Sequence, residues 1–237
     1  MCRMEQERAT GVAVWNAGRI STLRAAPALP CASVLLPVYA WVSDHAHWEQ
    51  LAQTMVTHSD DAATDVLVGE YDGLQRRVRE RTGLLLSGPA SWWGATVRAE
   101  EVAAAYGEMI ASGDVRSRAV LTWMSQVGRA QWIGTRGAAP VGQRVGVKAG
   151  WGLQSIDGSP ALLTHVVLAT DHGVVAALTA RPSSSARSRA WHAALANAGP
   201  HEVLSTHLAV AGRTLELALR EGLDVLTAAT APQASAS

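Results

Sequence analysis

Three separated groups of residues in this sequence have the types that could do chemistry together: a serine at position 33, a serine followed by two aspartates at 59–61, and a lysine at 148. Ser33 stands at the start of an apolar run predicted to be a helix. There the backbone N–H groups and the helix dipole favour a developing anion, so its hydroxyl could accept an acyl group. An ordinary N-cap serine would occupy the same place. A serine nucleophile needs an adjacent base, and its own helix supplies none. Lys148 is the only lysine beside nineteen arginines. An ammonium is compact and can shift its pKa where a guanidinium cannot, so a lysine kept in an arginine-biased chain points to function. Gly146 and Gly150 flank it and leave backbone open to a ligand. The structural alternative is a solvated edge-strand lysine that discourages strand pairing between molecules. Asp61 could pair with Lys148, act as a general base if burial raises its pKa, or simply begin a helix. His58 adjoins Ser59 and its imidazole could supply a base, although residues adjacent in sequence often point apart. Trp92 and Trp93, with the indole of Trp151, could wall a pocket for a flat or apolar ligand or belong to the core.

The composition limits what these residues can serve. The 237 residues are 48% apolar, enough for a substantial core in one large or two small domains. The formal net charge is zero, which favours neither nucleic acid nor an acidic membrane as partner and leaves a small-molecule substrate. Cys2 and Cys31 match no metal-ligand or disulfide spacing, so neither a metal nor another cofactor is expected. The opening MCRMEQERATG has no signal-type apolar stretch and no later run is long enough to span a bilayer, which predicts a cytoplasmic protein.

The elements that must position these groups follow from periodicity. Residues 11–17 and 19–25 read as a hairpin about Gly18. A Pro-broken link leads to a buried helix from Ala32, with Pro37 near its first turn. Residues 48–83 read as helical pieces punctuated by HSDD and YDG, ending at Gly83. Residues 84–97 form an irregular loop, helices return at 98–113 and 116–128, and 134–142 is a Gly/Ala/Pro loop. Three antiparallel strands follow, RVGVKAGWGL, ALLTHVVLAT and VVAALTA, the last two joined by a turn at Asp171-His172-Gly173. Helices at 185–198 and about 202–228 complete the chain. The order contains no βαβ alternation, so the class is α+β: a five-stranded antiparallel sheet (10–32 with 143–200) carrying an inserted all-α domain (33–142), then a C-terminal helix (201–230) and a tail (231–237).

Ser33, Ser59-Asp60-Asp61 and Lys148-Ala149-Gly150, in that order and on those elements, resemble the three motifs of class A β-lactamases and penicillin-binding proteins. The segments MVTHSDDAATDVLVGEYDG, SWWGATVRAEEVAAAYGEMI, SRAVLTWMSQVGRAQWIG and VGVKAGW are similar to those of actinobacterial serine hydrolases of this superfamily. The resemblance covers about 10–198. It implies Ser33 as nucleophile, Ser59 as proton shuttle, Lys148 and its neighbours Ala149 and Gly150 at the substrate, and the N–H groups of Ser33 and Trp151 as an oxyanion hole. Two departures stand out. Leu36 occupies the place of the family's lysine base, and 84–95 holds no Glu to activate a deacylating water. Asp61 also replaces an Asn, which donates and accepts where an ionised carboxylate only accepts.

Three functions remain open on this reading. One is a serine hydrolase or acyltransferase acting on a small ester or amide, in specialised metabolism, with a base drawn from Asp61, His58 or Lys148. The second is an isomerase, cyclase or lyase that reuses the pocket without acylation. The third is a binding protein that has lost catalysis. The helix at 202–228 presents Leu204, Leu208, Leu215, Leu219 and Leu226, with Ala211 and Ala218, on one face. That face needs an apolar partner, either the groove left by a family first helix that the short N-terminus cannot form or a second subunit in a homodimer.

Overall fold

The computed structural model describes residues 9–88, 91–135, 145–156, 158–182 and 200–230. β1 (Ala9–Asn16) and β2 (Arg19–Arg24) form the expected hairpin. Ala17 and Gly18 both have positive φ, 46° and 80°, the two-residue turn whose twist suits a tight hairpin. The link then contributes β3 (Leu29–Pro30), which pairs with β4 (Thr96–Val97) in a small second sheet. The loop at 84–97 is therefore pinned at its far end, a pairing too short for periodicity to reveal.

Next come α1 (Leu36–Val42), α2 (Trp48–His58), α3 (Asp61–Val68), α4 (Tyr71–Thr82), α5 (Ala99–Ser112) and α6 (Val115–Met124), followed by a 3-10 turn at Arg129–Gln131. α1 starts later than the sequence suggests. Its N-cap is Leu35 and no side chain caps it, so Ser33 lies in the turn ahead of the helix and is not an N-cap. Pro37 then falls in the first turn, where its missing N–H costs nothing. HSDD does separate α2 from α3, with Asp60 as the cap accepting from Ala63 N. YDG breaks nothing: Tyr71, Asp72 and Gly73 open α4, and the break lies at Gly69.

β5 (Val145–Ile156), β6 (Ser159–Thr170) and β7 (Gly173–Pro182) make the meander, and β1 pairs with β7, so the sheet order is β2-β1-β7-β6-β5. The five-stranded antiparallel sheet is as expected. Its middle strands are apolar on both faces because both are covered. Ala13, Trp15, Leu163, Val167, Ala176 and Leu178 face the helical core, while Val12, Val14, Val166, Leu168, Val175 and Ala177 face the other way. The second face is covered by α7 (Pro200–Thr230), which packs on β1, β7 and β6. Leu215, Ala218, Leu219, Leu223 and Leu226 are its buried stripe, at the i, i+3, i+4 spacing of one helix face. Gly222 allows the approach, since a Cβ there would stand 2.4 Å from Val175 Cγ1. The side chains of Leu204 and Leu208 and the helix expected at 185–198 lie outside the described residues.

Candidate active site

Lys148 lies on β5, the edge strand, in unbroken register with β6 from Val145 to Ile156. Strand alternation sends Val147 and Ala149 into the cluster beneath α7 and Lys148 to the helical side. It is fully buried there, with 0% of its surface exposed. Its Nζ donates to Ser59 Oγ and, at 3.3 Å, to Gln131 Oε1. Gln131 Nε2 donates to the same Ser59 oxygen at 2.8 Å, and the backbone N–H of Ala149 donates to Gln131 Oε1 at 3.0 Å. Burial pushes the Lys148 amine down to about 7, and the negative charge of Asp61 opposes that shift.

Ser59 reaches this cluster because it terminates α2 in the left-handed region, φ 55°, an uncommon conformation for a residue with a Cβ. Such strain persists only where its surroundings enforce it, here the bonds to Lys148 and Gln131.

Ser33 reaches β5 through Gly150. A Cβ at position 150 would stand 2.6 Å from Ser33 N and 2.9 Å from Val34 N, so only glycine permits this approach. The Ser33 turn is held from several sides. Tyr106 of α5 donates to Val34 O, Cys31 N donates to Ala95 O at 2.7 Å, and His165 of β6 bonds Pro30 O at 2.8 Å. Thr179 N donates to His165 Nδ1, so the proton sits on Nε2 and is given to Pro30. Ala149 N–H points off the free edge of the sheet toward Gln131. By strand alternation Trp151 N–H points off the same edge, and no described residue accepts from the N–H of Ser33.

The remaining expected residues divide. Asp61 is exposed, opens α3 and forms no ion pair with Lys148. Partial burial raises its pKa, helped by the charges of Asp65 and Asp60 and opposed by Lys148. His58 is exposed and its Nδ1 is engaged with the Thr57 hydroxyl at 2.8 Å, an arrangement local to the end of α2. Trp92 packs against the helical core and donates its indole N–H to Asp65 at 2.7 Å, while Trp93 is 46% exposed. The Trp151 indole packs with the cluster beneath α7, on the face away from Lys148, so it does not wall a pocket beside the lysine. Leu36 is fully buried core, three residues after Ser33.

No local signal in the sequence marks Gln131 or His165. Gln131 stands in an unremarkable VGRAQWIG, and only folding makes it a buried amide. Among the described residues no His, Cys, Asp and Glu side chains converge in a group that could hold a metal ion, and no helix is long and apolar enough to cross a membrane.

No protein-family model matches the sequence, and no curated protein matches it. Solved structures do resemble the fold. A β-lactamase from Streptomyces albus G is 16% identical, with 89% of this chain and 93% of that one covered and a TM-score of 0.58. A carbapenemase from Vibrio cholerae is 15% identical, with 92% and 95% covered and a TM-score of 0.59. A halotolerant bacterial β-lactamase is 15% identical, with 93% and 95% covered and a TM-score of 0.59. Sheet order, inserted helices and near-complete coverage in both directions agree: this chain has the fold of the serine β-lactamases.

Proposed function

We propose that the protein is a serine hydrolase or acyltransferase acting on an ester or amide of a small molecule, with Ser33 as nucleophile and Ser59 with Lys148 as its proton relay. The observation that carries this reading is the buried amine of Lys148 bonded to Ser59, on the strand whose Gly150 abuts the Ser33 backbone. An amine held near pH 7 is about half neutral at that pH and can act as a base, which Leu36 cannot. In the forward step Ser33 Oγ bonds to the carbonyl carbon, its proton passes to Ser59, and the Ser59 proton passes to the Lys148 lone pair. When the acyl–leaving-group bond breaks, Ser59 returns a proton to the leaving group and recovers one from the ammonium. The N–H groups of Ser33 and Trp151 are the donors suited to the developing oxyanion.

A fluorophosphonate probe tests the assignment. Intact mass is expected to show one phosphonyl group per chain, lost in Ser33→Ala. Absence of the adduct, or its survival in Ser33→Ala, would overturn it. Nitrocefin turnover is expected to be negligible beside that of a conventional class A enzyme, because no carboxylate in 84–95 can activate water. One observation favours a second reading: the Ser33 hydroxyl makes no hydrogen bond to a described residue. Lys148 and Ser59 would then move protons without acylation, as in an isomerase, cyclase or lyase.

A further inference from the structure

The Ser59–Lys148 pair has a third member to which no role has been given, the buried amide of Gln131. We propose that Gln131 is the positioning residue of the relay: its amide fixes Lys148 Nζ and aims the Ser59 hydroxyl, so that the lysine serves Ser59 rather than anchoring an anion of the substrate. This rests on the Ser33–Ser59–Lys148 reading above.

The orientation of the amide is settled by chemistry. The N–H of Ala149 can only donate, so the atom 3.0 Å from it must be Oε1, and Nε2 therefore faces Ser59. Oε1 then accepts from both Ala149 N and Lys148 Nζ, which uses both of its lone pairs. Nε2 can never accept, so one lone pair of Ser59 is permanently occupied. The Ser59 hydroxyl keeps one proton and one lone pair, to be shared between Lys148 and the site. With Lys148 neutral, Ser59 donates to the amine and its free lone pair accepts from the nucleophile. With Lys148 charged, the amine donates to Ser59 and the Ser59 proton turns to the leaving group. Gln131 makes the same bonds in both states, so it orients the Ser59 hydroxyl for transfer in either direction without gaining or losing a proton. Ser59 and Gln131 take two of the ammonium's three N–H donors, which leaves this fully buried lysine a single one to offer a substrate carboxylate.

Lys148 is the only lysine, so [13Cε]lysine labelling gives a single side-chain resonance whose titration reads this amine directly. The wild-type midpoint is expected near pH 7. Gln131→Glu replaces a neutral acceptor with an anion and cannot donate to Ser59. It is expected to move the midpoint up by about 1–3 pH units and to shift the pH dependence of phosphonylation with it. Gln131→Leu removes an acceptor of the ammonium and is expected to move the midpoint down. A Gln131 side chain that did not engage the amine would not drive the two variants in opposite directions. Equal midpoints in all three proteins, or shifts of the same sign, would overturn the proposal even if wild-type Ser33 is phosphonylated. Opposed shifts in a protein that forms no adduct would instead overturn the acylation reading and support the hold of Gln131 on Lys148.

Discussion

A primary amine enclosed away from water must shed its proton or be surrounded by acceptors, and Lys148 does some of each. Its folded pKa of about 7 lies below the ordinary 10.5. Below pH 7 both folded and unfolded chains carry the charge, and the full cost of burying it, about 3–5 kcal/mol, weighs on the fold. Between pH 7 and 10.5 the unfolded chain holds a proton that the folded chain lacks, so stability rises with pH and the cost fades. Lys148→Met leaves Ser59 bonded to Gln131 Nε2 and Gln131 bonded to Ala149 N, so it strands no buried polar atom. The variant is expected to be inactive toward the probe yet more stable than wild type at pH 6, with most of that advantage gone by pH 9.5. Urea midpoints at the two pH values measure this, and a variant destabilised at both would show that the amine is a net support of the fold.

The junction between β3 and α1 has almost no secondary structure of its own, so its placement depends on the elements around it. Tyr106 of α5 and Gly150 of β5 contact it, and His165 ties Pro30 to the β6–β7 pair through both ring nitrogens. Burial pushes His165 down to about 4 from its ordinary 6.5. The folded chain keeps the ring neutral, whereas the unfolded chain protonates it as pH falls through about 6.5. Stability from this residue is therefore full above pH 6.5 and is lost progressively down to about pH 4, by about 3 kcal/mol. His165→Gln is expected to flatten the dependence of the unfolding midpoint between pH 7 and 4.5. An unchanged slope would mean that other groups govern acid lability.

The molecule as a whole is a sheet covered on both faces, and α7 is one of the two covers. Its stripe from Leu215 to Leu226 fills the cluster formed by Val12, Val14, Val166, Leu168 and Val175. A chain ending at residue 199 would expose that cluster and is expected to aggregate or to lose most of its stability. Leu219→Ala, which leaves a void under the helix, should lower stability by about 2–5 kcal/mol. Thermal unfolding and light scattering read both outcomes. A truncated chain as soluble and as stable as the full one would show that the helix is dispensable.

The sequence by itself determined the class and order of the elements. Period-two and period-3.6 apolar patterns, with turn residues such as Gly18 and Asp171-His172-Gly173, are local signals that survive without knowledge of the partners. Ser33, Ser59 and Lys148 could be read from the sequence as candidates by residue type, and the structure joins Ser59 to Lys148 by a hydrogen bond. α1 starts a few residues later than the apolar pattern indicates because that pattern continues through the Ser33 turn, and hydrophobicity does not distinguish a buried turn from a buried helix. The partner of Lys148 was decided only by the tertiary structure. Asp61 was the natural electrostatic choice in sequence, yet the fold places Gln131, 17 residues before the lysine, at Nζ and leaves Asp61 exposed. The same holds for Trp151, which strand pleating turns to the α7 face, and for His165, whose role exists only where β6 passes beneath Pro30. Local pattern records how each segment folds, but the neighbours of a buried polar group are chosen by long-range packing, which no local pattern encodes.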